Sequence, residues 1–120
     1  MKIKVTKAHG TGNNFVIIYD DTHHDLIIEK KFIKKICDKK IGFGTDGLLL
    51  LSSCEDYDYK MDYFNNDGTW ETMCANGARC AALFMWQKKL VGNKMSFLAG
   101  DGAHQTKIKN QDNIQLSMIQ

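Results

Sequence analysis

The sequence predicts a single α+β domain. Three observations carry this. Period-two alternation and short apolar runs outnumber the helical stretches. Two segments alone have helical period, and turn residues punctuate the chain at short intervals. The order is mostly strands with two helices inserted, unlike the regular alternation of a doubly wound parallel sheet. A chain of 120 residues without linker, repeat or charge block reads as one domain, residues 1–120.

The elements follow in order. Lys2 to Ala8 alternates and predicts a strand. His9-Gly10-Thr11-Gly12-Asn13-Asn14 is turn chemistry. Phe15 to Tyr19 is a continuous apolar run, expected as a strand buried on both faces. From Ile28 to Lys40 the period changes: Ile28, Phe32, Ile33, Ile36 and Cys37 form one helical stripe opposite lysines, and Gly42 and Gly44 end the helix. Leu48 to Leu51 predicts a buried strand. Tyr57, Tyr59, Met61 and Tyr63 alternate with Asp58, Lys60 and Asp62, a half-buried strand. Asn66-Asp67-Gly68 is a hairpin-closing turn. Asn76 to Lys89 is apolar almost all round, which predicts a central, buried helix. Three strands then follow, Lys94 to Ala99, Ala103 to Lys109 and Ile114 to Ile119, separated at Asp101-Gly102 and Asn110 to Asn113. The last ends with no polar tail, which reads as a chain cut from something larger.

Composition excludes several classes of function. With 43% hydrophobic and 25% charged residues the chain is an ordinary globular one, not a disordered one. Sixteen Lys and Arg against fourteen Asp and Glu leave +2, so nothing electrostatic points to nucleic acid or an anionic membrane. The longest uncharged apolar run, Cys80 to Trp86, falls far short of the roughly 18 residues of a membrane span. Met1-Lys2-Ile3-Lys4 leads into alternation and not into an apolar signal core, so a cytoplasmic location is expected. Its thiols then stay reduced. No cysteine pair has the C-x2-C spacing of a structural zinc site, and no metal is expected.

Chemistry concentrates in Met73-Cys74-Ala75-Asn76-Gly77-Ala78-Arg79-Cys80. Cys74 lies just before the buried helix, where unpaired N–H groups and a partial positive charge favour thiolate over thiol. A thiol there suits proton transfer. The amides of residues 75 to 77 form an anion site beside the sulfur, so a carboxylate held on them places its α-carbon next to a base. Free cysteine is commonly core filler, and Cys80 and Cys37 are read as that; Cys54 has no assigned role. Asn13 and Asn65 each follow a strand-like stretch and offer an amide to an amino or carboxylate group; turn capping is the plainer reading of both. His9 reads as strand-end packing, and His23-His24 as a solvated loop. Gly42-Phe43-Gly44-Thr45-Asp46-Gly47 lacks the Gly-Lys-Ser/Thr ending and the following helix of a phosphate loop.

Together these segments resemble the diaminopimelate epimerase family. His9 to Phe15 looks like its HGxGNDF, Gly42 to Leu49 like its GxGADGLL, Phe64 to Gly68 like its FNADG, and Met73 to Cys80 like its MCGNGARC. The resemblance covers the family's N-terminal half. It implies one half of the diaminopimelate-epimerase-like fold, a mixed or antiparallel sheet curved around a central buried helix. It also implies two-thiol epimerisation of LL- to meso-diaminopimelate, in lysine and peptidoglycan synthesis, without pyridoxal phosphate, metal or other cofactor. Cys74 matches one of the two acid/base residues. Asn13 and Asn65 match substrate contacts, and Ala75, Asn76 and Gly77 match the amides that hold the α-carboxylate. Asn76 separates the chain from the similar proline racemases, which carry His there, and Cys74 from the phenazine-type isomerases.

Three departures stand out. Asn14 replaces an Asp. Ala75 replaces a Gly, which puts a methyl group beside the carboxylate site or asks for a different backbone conformation. The family's C-terminal domain, with the second thiol, is absent, so the isolated chain is expected to be inactive. The resemblance then implies a complementary half or a second copy as partner; the alternative is a non-catalytic binding or regulatory module on the same scaffold.

Overall fold

A computed structural model describes residues 3–10 and 12–119 of the chain. Lys2 of the expected opening strand and Thr11 of the expected turn lie outside the described residues. The element order is β1 (Thr6–Gly10), β2 (Asn13–Tyr19), α1 (His24–Ile27), α2 (Lys30–Cys37), β3 (Gly47–Ser52), β4 (Tyr59–Asn65), β5 (Trp70–Glu71), α3 (Ala75–Gln87), β6 (Lys94–Ala99), β7 (Gly102–Asn110) and β8 (Asn113–Met118). The strands form one mixed sheet in the order β1-β2-β3-β4-β6-β7-β8, with β5 paired to β4. The β2–β3 and β4–β6 pairs are parallel and the others antiparallel. The expected α+β class holds.

The apolar runs of β2 and β3 bury both of their faces. Phe15, Ile17, Leu49 and Leu51 pack with Ala78, Ala81, Ala82 and Met85 of α3. The intervening Val16, Ile18, Leu48 and Leu50 pack with Ile27, Ile33 and Cys37 on the α1–α2 side. Alternate side chains of a strand point to opposite faces, so an unbroken apolar run fits only a strand covered on both sides. In β4, Tyr59 and Met61 turn to the α3 side and Phe64 to the other.

The helix expected over Ile28 to Lys40 is shorter, α2 over Lys30–Cys37, and a separate short helix, α1, precedes it over His24–Ile27. Glu29 is extended (φ −67°, ψ 132°) and starts α2. Ile27 and Ile33 are both fully buried in the same cluster. Six residues along one α-helix turn the side chain by about 240°, so an unbroken helix would bury only one of them. The break lets both reach the core and leaves Ile28 outside, 37% exposed. His23 is also no solvated loop residue: Asp20 accepts its backbone N–H at 2.6 Å and pairs with its Nδ1 at 2.9 Å, just before α1. That pairing holds the Asp20 carboxyl below the usual carboxylate range. Beyond α2 the chain folds back, and the N–H groups of Phe43 and Thr45 donate to the carbonyls of Ile36 and Cys37. These bonds satisfy acceptors that a helix end leaves open.

The hairpin between β1 and β2 is tighter than the six-residue turn expected, since Gly10 already pairs with Asn13 across it. The strand over Lys94 to Ala99 and the helix near Asn76 to Lys89 lie where expected.

Candidate active site

Helix α3 begins at one end of the sheet, the end shared by the start of β2, the start of β3 and the end of β4, where Phe15 pairs with Gly47 and Gly47 with Asn65. Cys74 is its N-cap, in extended conformation (φ −140°, ψ 116°). The first intrahelical bond runs from Ala78 N–H to the Cys74 carbonyl at 2.8 Å. The amides of residues 75 to 77 therefore precede the helical ladder. Gly77 N–H donates to Cys74 Sγ at 3.4 Å. A cysteine here does what Ser or Asp does at ordinary N-caps, and places sulfur at the positive end of the helix. Cys74 is half-buried, against the core on the α3 side. Position 77 has to be small, since a Cβ there would lie 3.0 Å from Leu49 Cδ2 and 3.6 Å from Cys74 Sγ.

The β1–β2 hairpin docks on this first turn. Asn76 Nδ2 donates to Asn13 Oδ1 at 2.9 Å. Close approach is possible because residue 10 has no side chain: a Cβ would stand 3.0 Å from Cys80 Sγ and 3.3 Å from the Asn76 carbonyl. Ala75 is exposed at the first helical position and has no positive φ. The Gly-to-Ala departure thus needs no unusual backbone.

Asn65 ends β4 inside a polar network. Tyr63 Oη donates to its Oδ1 at 3.0 Å, and its Nδ2 donates to Thr69 Oγ1 and to a Glu71 carboxylate oxygen, each at 3.1 Å. Burial first, then the nearby Cys74 and Glu71, push the Tyr63 hydroxyl up to about 12. The ring of Tyr63 meets Phe15 edge-on at 6.1 Å. Asp46 ties the three strand ends together. It accepts the Asn14 N–H on its carboxylate at 2.9 Å, donates its own N–H to the Asn14 carbonyl, and accepts the Asn66 N–H on its carbonyl. The contact uses only the backbone of residue 14, so it is indifferent to Asn there.

The six residues expected at the site, Asn13, Asn65, Cys74, Ala75, Asn76 and Gly77, therefore gather at one end of the sheet. Cys80 lies within the core, where burial, and then the sulfur of Cys74, push its thiol up to about 11. Burial also raises Cys37. Beside the helix start a cleft of about 420 Å³ is bounded by His9, Asn76, Arg79, Gln111 and Asn113 among others. His9, within β1, thus also lines this cleft. Sequence reasoning missed Tyr63, Glu71 and Asp46. The alternation of β4 marked Tyr63 as half-buried and Asp46 lay within a family-like motif, but nothing local marked Glu71.

Comparison with known proteins follows the same lines. The sequence model of the family described as diaminopimelate epimerase matches residues 5–119. This chain belongs to the diaminopimelate epimerase family. It is 40% identical over 118 residues to a diaminopimelate epimerase of Flavobacterium psychrophilum, covering 97% of this chain and 45% of that protein. It is 37% identical over 101 residues to one of Clostridium perfringens, covering 83% of this chain and 37% of that protein. The chain thus spans less than half the length of these curated relatives. Among solved structures, a methylitaconate-delta-isomerase matches with a TM-score of 0.69 at 13% identity, over 92% of this chain and 36% of the other. A phenazine biosynthesis protein of the PhzF family from Bacillus anthracis matches with a TM-score of 0.67 at 17% identity, over 95% of this chain and 38% of the other. These likenesses establish the fold: an α+β half-domain of the epimerase type. Among the described residues, no group of three or more His, Cys, Asp or Glu side chains is placed to hold a metal ion, and no helix is long and apolar enough to cross a membrane.

Proposed function

We propose that this chain supplies one acid/base thiol and half of the binding groove for a cofactor-independent epimerisation of LL- to meso-diaminopimelate. One observation carries the reading: Cys74 Sγ caps α3 and accepts the Gly77 N–H. An amide donor and a helix N-terminus both place partial positive charge beside this sulfur. The helix start, with the amides of Ala75, Asn76 and Gly77, faces the α-carboxylate, and the Gly77 amide also holds the sulfur. Asn13 and Asn65 contact the substrate on either side.

In this reading the Cys74 sulfur works on one face of the α-carbon. As thiolate it takes the α-proton and becomes a thiol; a second thiol returns a proton to the opposite face, and the stereocentre inverts. In the reverse direction the roles exchange. Charge developing at the α-carbon and its carboxylate is stabilised by fixed amide donors, worth most where water is excluded. This chain provides one wall of such an enclosure; a complementary half provides the other wall and the second thiol. A pair of copies, with two Cys74 thiols facing one substrate, is the less favoured arrangement, because the two walls would carry the same binding residues.

The test is exchange of the α-proton of LL-diaminopimelate in heavy water. The chain alone should give none. Mixing it with the C-terminal half of the Flavobacterium relative should restore exchange, and Cys74→Ala should abolish it. Exchange that survives Cys74→Ala would overturn the reading. The second reading, a non-catalytic module, draws on the short span of the match; it gains if no mixture exchanges and Cys74→Ser alters no ligand binding.

A further inference from the structure

The amide of Asn65 is oriented by its neighbours, and the orientation decides what it can recognise. A side-chain amide has two N–H donors and a carbonyl oxygen with two lone pairs. Which end is which follows here from the partners. Thr69 Oγ1 gives its own hydrogen to Asp67 Oδ1 at 2.6 Å, so towards Asn65 it acts as acceptor. The Glu71 carboxylate is an acceptor too. Two acceptors side by side require the nitrogen of the amide between them. The oxygen is then left to the Tyr63 hydroxyl, which donates to it at 3.0 Å. Both donors of Asn65 are spent, and one lone pair on Oδ1 remains.

Asn13 is oriented the opposite way. Its Oδ1 accepts from Asn76 Nδ2. Its Nδ2 is the end turned from that bond, so it keeps donor capacity. Two side chains of identical chemistry at one end of the sheet thus differ in polarity: Asn13 suits a carboxylate and Asn65 suits an N–H group.

We propose that Glu71 is a positioning residue that, with Thr69, holds Asn65 with its carbonyl towards the ligand, so that Asn65 accepts from a ligand ammonium group. The proposal rests on the reading of this end of the sheet as an amino-acid site. Glu71 lies on the two-residue strand β5, is exposed, and acts through Asn65. The negative charge it brings adds to the preference for a cationic group without being its cause.

Two measurements on the 120-residue chain test this. The first is ligand-free NMR of the Asn65 side-chain amide at fixed pH. Its Nδ2 hydrogens should exchange with water about fivefold faster in Glu71→Ala, the loss of one hydrogen bond, whereas Glu71→Gln keeps an acceptor oxygen and should retain most of the protection. Exchange in Glu71→Ala as slow as in the unaltered chain overturns the positioning role. The second compares binding of diaminopimelate with that of pimelate, which lacks the amines. Glu71→Ala should reduce the preference for the amine about fivefold, the worth of one hydrogen bond. Glu71→Gln keeps an acceptor oxygen and should retain most of the preference; an equal loss in both variants would make charge the cause and overturn the proposal. If the unaltered chain binds neither ligand even when mixed with the C-terminal half of the Flavobacterium relative, the amino-acid site reading fails and takes the recognition with it, while the amide exchange of Asn65 still decides the role of Glu71.

Discussion

Asn76 Nδ2 donates to Asn13 Oδ1 at 2.9 Å across 63 residues of sequence. This bond fastens the β1–β2 hairpin to the first turn of α3, beside the cap made by Cys74. Its polarity yields a pair of opposite expectations. Asn13→Asp keeps an acceptor and should leave stability within about 0.5 kcal/mol. Asn76→Asp sets acceptor against acceptor and should cost about 1–3 kcal/mol. Urea denaturation of both variants measures this; equal losses would mean that the bond does not form as described.

Gly10 and Cys80 form a second coupled pair, since a Cβ at residue 10 would lie 3.0 Å from the Cys80 sulfur. Gly10→Ala should destabilise the fold by about 1–3 kcal/mol through overpacking. Cys80→Ala removes the sulfur, so in that background the same change should cost less. A double-mutant cycle reads the coupling, expected at about 0.5 kcal/mol or more.

Cys74 allows stability and chemistry to be separated. Serine is a good N-cap, so Cys74→Ser should retain the stability of the chain, whereas Cys74→Ala should lose about 0.5–2 kcal/mol. Both should abolish the proposed proton exchange, because a serine hydroxyl is too weak an acid to cycle near neutral pH. Thermal melts beside heavy-water exchange assays in the reconstituted mixture make the comparison.

Tyr63 gives a pH dependence. Its hydroxyl is pushed up to about 12, by burial first and then by Cys74 and Glu71. The unfolded chain releases this proton near 10. A group raised in the folded state contributes stability that is full below the unfolded value and lost as pH rises through the folded one. Stability should therefore fall between about pH 10 and about pH 12, and Tyr63→Phe should flatten that part of the curve. Denaturation across the interval checks it; an unchanged slope in Tyr63→Phe would exclude Tyr63 as the source.

Much of this protein was legible in residue order alone. The apolar runs of β2 and β3 announced burial on both faces, and the greasy stretch after Cys74 announced the central helix. The cysteine at its mouth, with Asn13, Asn65 and the first-turn residues, followed from local chemistry and from the motifs that resemble a known family. These features depend on neighbours a few positions away, where periodicity and capping act. Tertiary structure decided the rest. Only packing against β2 and β3 forces the break at Glu29 that buries Ile27 together with Ile33. Asp46 became a clasp only when parallel pairing brought the starts of β2 and β3 side by side. The contrary orientations of Asn13 and Asn65 come from Asn76 on one side and from Tyr63, Thr69 and Glu71 on the other. A hydrogen bond between side chains needs its partners within about 3 Å, and for residues distant in sequence only the completed sheet and helix bring them there.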